Sequence, residues 1–169
     1  MVPMSPRTFR SHYDVDTPPP GTHLCYEVYD HRRTLIASGH LTNSDEDHAE
    51  EVFVGERFRE SWRTCAIVWY ISWSPCDHCM EMLTRTFLRV NPNVQLHIAF
   101  AKVYRLTSGG NIRALRRRGV NIRVMGMNDF YYCWNRFVDT DRSFVPWGNL
   151  IPNYYQASHW LNITLSGAP

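Results

Sequence analysis

The stretch Cys65–Cys79, CAIVWYISWSPCDHC, decides how the rest of the chain is read. From Cys65 to Trp73 both alternating sets of side chains are apolar, and β-branched and aromatic residues dominate. A strand of that kind has no wet face, which predicts a central strand covered on both sides. Ser74-Pro75 ends it abruptly, because proline removes a ladder donor and restricts the residue before it. Beyond Pro75, the positions Cys76, Cys79, Leu83, Phe87 and Val90 form one helical stripe with both cysteines in its first turn, and Asn91-Pro92-Asn93 stops it.

Working outward, Leu24–Tyr29 and Thr34–Ser38 are β-prone around the polar turn Asp30-His31-Arg32-Arg33, which predicts an antiparallel hairpin. Gly39–Asp47 reads as a polar loop. Ser44–Asp47 supplies cap candidates and negative charge ahead of His48-Ala49-Glu50-Glu51-Val52-Phe53, so a helix is expected from near His48. Downstream, Val94–Tyr104 reads as a strand, Asn111–Arg118 as an arginine-rich helix closed by Gly119, and Val120–Met125 as another strand. Asp129–Val138 and Asn153–Leu165 read as helices, the second after Pro152 in its first turn. Residues 1–21, with Pro3, Pro6 and the run Thr17-Pro18-Pro19-Pro20-Gly21, read as a surface arm and loop, leaving 22–169 as one domain. The order predicts an α/β fold, a mixed sheet flanked by helices. A site is expected where strand C-terminal ends open onto helix N-termini.

A chain of 169 residues with 44% hydrophobic content has room for one sizeable core and not for two full domains. No apolar h-region follows Arg7 and Arg10, and the longest apolar stretch, Ala66–Ile71, is far below spanning length. A cytoplasmic setting is expected, with nuclear access left open. The sequon Asn162-Ile163-Thr164 carries weight only in a secreted chain. Five cysteines, an odd number without a secretory signal, argue against a disulfide framework. Cys25, Cys65 and Cys133 lie in apolar patterns and read as core. A net charge of +2 is too mild to name a polyanionic partner. Arg113, Arg116, Arg117, Arg118 and Arg123 form the one notable cluster, which serves either phosphate contact or a solvated helix face.

Both His-Ala-Glu and Ser-Pro-Cys-Asp-His-Cys sit where the chain enters a helix. Free N–H groups and the positive dipole end favour thiolate there, the form that binds zinc. Cys76 and Cys79, three apart on one face, can converge on one ion with His48 from the neighbouring helix, whereas His78 between them reads as surface. A lone Cys-x-x-Cys pair fits redox or structural zinc roles equally well. With His48-x-Glu50 added, three ligands leave a tetrahedral zinc one open position for water, and Glu50 stands near as the acid/base. One difficulty is that positions i and i+2 do not share a helix side. H-x-E followed by P-C-x-x-C is an established signature of zinc deaminases, and the expected chemistry is taken over with it: cytosine becomes uracil while Glu50 moves protons to the ring nitrogen and the departing ammonia. Trp73 and Tyr104 end strands at the same edge, as core residues or as walls around a base, and their position favours the walls.

Ser72-Trp73-Ser74-Pro75-Cys76-Asp77-His78-Cys79, preceded by His48-Ala49-Glu50, resembles the AID/APOBEC family of polynucleotide cytidine deaminases. The similarity continues through Leu24–Val28, Ala101–Tyr104 and Tyr132–Asp139, covering residues 22–165. Within the family the chain looks most like single-domain members of the antiviral, DNA-mutating (APOBEC3-like) branch. The resemblance implies a five-stranded sheet with about six helices, a Zn2+ cofactor, and single-stranded DNA or RNA with a flipped cytosine as substrate. It also implies a role against retroviruses and mobile elements.

By position, Thr22 and His23 resemble the first substrate loop and Asn43 a contact to the target sugar, and the resemblance also puts Ala49, within His-Ala-Glu, and Arg105 among the substrate-binding residues. Trp73 and Tyr104 resemble aromatic walls, and the backbone around Ser74 a reader of the base edge. Arg105 opens the loop Arg105–Gly110, which departs from the acidic or aromatic residues that many relatives use to select the preceding base. The hairpin connection and the 39–47 stretch carry fewer basic residues than strong nucleic-acid binders do, implying modest, salt-sensitive affinity. Three rivals remain open: an RNA-editing member, a deaminase of free cytidine, and a noncatalytic zinc-containing module that binds nucleic acid. Free-cytidine enzymes generally lack the SWS-PC segment, the Tyr104 loop and the long C-terminal helices. An intact Glu50 argues against the noncatalytic module.

Overall fold

The computed structural model describes residues 2–18, 21–44 and 46–167. Pro19 and Pro20 of the proline run, and Asp45 among the cap candidates, lie outside them. Five strands, β1 (His23–Tyr29), β2 (Leu35–Thr42), β3 (Ala66–Trp73), β4 (Gln95–Lys102) and β5 (Asn121–Val124), form one sheet in the order β2-β1-β3-β4-β5. β1 pairs antiparallel with β2 and β3, while β3, β4 and β5 run parallel. The sheet is therefore mixed, as expected.

Among the described residues six helices surround it. They are α1 (Pro6–Tyr13), α2 (Ala49–Val52, continued by a wide π turn over Phe53–Arg57), α3 (Asp77–Met82, a π turn over Leu83–Phe87, then Leu88–Val90), α4 (Gly109–Arg117), α5 (Met127–Phe137) and α6 (Leu150–Ser166). No helix is long and apolar enough to cross a membrane.

β3 behaves as its composition demands. Ile67, Trp69 and Ile71 join a core with Phe53, Leu83, Phe87, Leu115 and Leu161 from the α2, α3, α4 and α6 side. Tyr70 joins Phe9, Tyr13, Phe130, Cys133 and Phe137 from the α1 and α5 side. All five cysteines are free and buried.

Two expectations need correcting. Residues 1–21 are not simply an arm: Ser5 caps α1 by accepting the Thr8 N–H at 3.0 Å, and Pro6 occupies the first turn. The bar on proline applies to helix interiors, and at that position its fixed φ and missing donor cost nothing. Phe9 and Tyr13, one helical turn apart, are fully buried, and the Tyr13 hydroxyl donates to the Tyr70 carbonyl at 2.7 Å. The helix thus belongs to the core. The predicted loop from Gly39 is also too long, because β2 keeps pairing with β1 as far as Thr42, opposite His23.

Candidate metal centre and substrate cavity

Two helices open in the same way at the C-terminal end of β3. His48 is the N-cap of α2 (φ −72°, ψ 157°) and Cys76 that of α3 (φ −73°, ψ 167°), both in extended backbone. His48 Nδ1 lies 3.2 Å from Cys79 Sγ and 3.4 Å from Cys76 Sγ. The three donor atoms all lie within 4.8 Å of one another, and no other such group of His, Cys, Asp or Glu occurs among the described residues. They are near enough to hold one metal ion.

The cap conformation removes the difficulty over Glu50. Because His48 precedes the helix, its side chain does not follow helical periodicity, and His48 and Glu50 line the same cavity. Glu50 is only 3% exposed, and burial pushes its carboxyl up to about 7. The cysteines polarise each other. The hydrogen bond from Cys79, helped by the Cys79 backbone N–H and by His48, draws Cys76 down to about 5. Donating that bond, together with burial, pushes Cys79 up.

The cavity, of about 250 Å3, is lined by Gly21, Thr22, Asn43, His48, Glu50, Trp73, Ser74, Cys76 and Tyr104. That is below the roughly 300–1,000 Å3 of drug-sized pockets, a size suited to one ring. Trp73 and Tyr104 meet edge to face, ring centres 5.8 Å apart, and Asn43 Oδ1 accepts the Ala49 N–H at 3.1 Å. Larger grooves of about 530 and 740 Å3 lie beside β2 and β5, away from the donor group.

Of the residues singled out in the sequence, Thr22, Asn43, His48, Glu50, Trp73, Ser74, Cys76 and Tyr104 come together around this cavity, with Cys79 buried behind it. Three do not line it. His23 is buried, its Nε2 3.2 Å from His40 Nδ1, because as first residue of β1 it turns toward α1 and β2. Ala49 is buried beneath, and Arg105 is exposed on the loop. His78 is on the surface, paired with Glu51 at 2.8 Å. In the arginine cluster, Arg113 donates to the Thr164 carbonyl and Arg123 pairs with Asp129.

Sequence reasoning missed two supporting residues. Glu51 Oε2 accepts the His48 N–H at 3.0 Å. The three-residue spacing from N-cap to Glu is the signal that could have found it. Lys102, the chain's single lysine, packs its ammonium 4.7 Å from the Trp73 ring centre and donates to the carbonyls of Asp14 and Thr17. Nothing in its spacing marks it.

Comparison with known proteins bears on this geometry. A profile described as the APOBEC3 cytosine deaminase domain matches residues 2–165. The chain belongs to the APOBEC3 cytosine deaminase domain family. The match includes α1, in keeping with that helix being part of the core. The chain is 37% identical to the DNA dC->dU-editing enzyme APOBEC-3H of Felis catus, over 76% of this chain and 70% of that protein. It is 33% identical to the C->U-editing enzyme APOBEC-1 of Mesocricetus auratus, over 95% of this chain and 72% of the relative. Identity to the DNA dC->dU-editing enzyme APOBEC-3G of Lagothrix lagotricha is 32% over 84% of this chain, which spans only 40% of that longer protein. The five-stranded mixed sheet with six helices is the architecture that the APOBEC resemblance implied.

Proposed function

We propose that the chain is a zinc-dependent hydrolase that deaminates cytosine to uracil in single-stranded DNA. The observation that carries the reading is the convergence of His48, Cys76 and Cys79 with buried Glu50 at one small cavity walled by Trp73 and Tyr104. The donor set fits zinc. Tetrahedral bonds of ordinary Zn–N and Zn–S length put nitrogen and sulfur about 3.6 Å apart, and the two separations here come within a few tenths of that. When bound, zinc supplies a Lewis acid that lets water ionise near neutral pH.

The remaining steps belong to the chain's own residues. Trp73 and Tyr104 wall the pyrimidine on two adjoining sides, and the Ser74 backbone and Thr22 border its edges. Asn43 borders the sugar. Water adds at the ring carbon that bears the exocyclic amine. The Glu50 carboxylate takes one proton from the attacking water and gives it to the ring nitrogen, then takes the second from the added hydroxyl and passes it to the amine, which leaves as ammonia. DNA is favoured over RNA by the APOBEC3 profile and by the DNA-editing names of the feline and primate relatives. Defence against retroviruses and mobile elements, in the cytoplasm, is the biological setting that goes with this reading.

The test is to incubate the protein with cytosine-containing single-stranded DNA, the matching RNA and free cytidine, beside Glu50→Ala. Uracil is expected in the DNA with the wild type alone. Turnover of free cytidine only, or equal yields from both proteins, would overturn the reading.

A further inference from the structure

The loop 103–108 joins β4 to α4 and brings Tyr104 to the cavity. Its attachment to the turn that presents Cys76 runs through two hydroxyl groups. Thr107 Oγ1 donates to the Pro75 carbonyl at 2.9 Å, and a carbonyl has no proton to return, so the single hydroxyl proton of Thr107 is committed there. Ser74 Oγ lies 2.8 Å from Thr107 Oγ1 and must therefore be the donor of that pair. Ser74 Oγ in turn accepts the Tyr104 N–H at 2.7 Å. The bonds point one way: Tyr104 N–H to Ser74 hydroxyl, to Thr107 hydroxyl, to Pro75 carbonyl.

Backbone bonds flank this chain on both sides. The Ser74 N–H donates to the Lys102 carbonyl at 2.7 Å, the Asp77 N–H to the Leu106 carbonyl at 3.1 Å, and the Ser108 N–H to Asp77 Oδ1 at 2.8 Å. Fixing the Pro75 carbonyl sets the peptide plane that leads into Cys76. Fixing the Tyr104 N–H sets the aromatic wall. Thr107 is the side chain at the joint, and Ser74 beside it is only 2% exposed, so a group left unpaired there is costly.

We propose that Thr107 is a positioning residue that locks the Tyr104 wall of the substrate cavity to the Pro75–Cys76 turn, so that the base and the metal centre keep one geometry. The role rests on the deaminase reading and acts through Tyr104 and Cys76 rather than on the reacting atoms. Nothing in the spacing of Thr107 announces it, because its partners are more than thirty positions upstream.

Thr107→Val keeps the shape and removes the hydroxyl, leaving the Ser74 proton and the Pro75 carbonyl without a partner. Thr107→Ser restores both. With a single-stranded DNA oligonucleotide, Thr107→Val is expected to lose about tenfold in kcat/KM, mainly through KM, with zinc content close to wild type and Tm lowered by a few degrees. Amide hydrogen exchange at Tyr104 is expected to quicken about tenfold while the core of β3 is unchanged, and Thr107→Ser to return both readouts to within about threefold of wild type. Wild-type kinetics and exchange in Thr107→Val would overturn the proposal. So would equal damage in the two variants, or exchange quickened uniformly along the chain. If the wild-type protein deaminates nothing, the function reading fails, while exchange at Tyr104 still decides whether Thr107 holds the loop.

Discussion

Two glutamates on opposite faces of the sheet are buried almost equally, Glu27 at 1% and Glu50 at 3% exposure, yet their surroundings differ completely. Glu27, on the α5 side of β1, accepts from Arg136 Nε at 2.9 Å and from the hydroxyls of Tyr29 and Tyr132 at 2.7 and 2.8 Å. A carboxylate held by a guanidinium and two hydroxyls is a structural anchor that ties α5 to the sheet. Among the described residues, no arginine or tyrosine is hydrogen-bonded to Glu50. Burial pushes its carboxyl up to about 7. Burial alone does not make a proton carrier. A buried carboxyl that opens onto a cavity, with no guanidinium held against it, is the one suited to carrying protons.

The comparison breaks hardest at the metal ligands. Cys79→Ser is expected to abolish zinc binding and reduce uracil formation to background. Chelation of the wild-type protein should do the same, and stoichiometric zinc in an active Cys79→Ser would break the assignment. Next in size is Glu50→Gln, expected to lower kcat by about 10^3-fold with zinc retained and Tm unchanged or raised, since a neutral amide relieves a buried acid. A Tm drop as large as that of a core substitution would make Glu50 an anchor like Glu27.

Glu27→Gln should show the opposite pattern. It strands part of the Arg136 charge, and because Arg136 is one third exposed, water offsets some of that cost. A loss of about 2 kcal/mol, roughly 4–8 °C in Tm, is expected from thermal unfolding, with kcat within about threefold of wild type. An effect of similar size, visible only on acidification, concerns His23, on the same face as Glu27. Burial first, then His12 and His40, push its imidazole down to about 3. A folded pKa below the unfolded value near 6.5 means that the unfolded chain takes the proton first. This stability is complete above about pH 6.5 and is lost as pH falls toward 3. Tm followed from pH 7.5 to 4.5 should fall, and fall less in His23→Gln.

Much of this was legible in the sequence because it rests on local chemistry. The both-sides-apolar run ending at Trp73 gave the central strand, and the strand–helix alternation gave the mixed sheet. His48, Cys76 and Cys79 were readable because helix entry and ligand spacing are short-range features. The failures came from longer range or from exceptions to local rules. Pro6 hid α1, since a first-turn proline and a helix-breaking proline are the same letter. The family resemblance puts His23 with Thr22 at the first substrate loop, but strand alternation turns it to the other face. Lys102 reaches back to Asp14 and Thr17, a contact that no periodicity encodes.

The most direct measurement is zinc analysis combined with X-ray absorption at the zinc edge of the purified protein. One zinc per chain, bound by one imidazole nitrogen, two sulfurs and one oxygen of solvent, is the expected result. No zinc in a protein that makes uracil, or a fourth ligand supplied by the protein, would contradict the account.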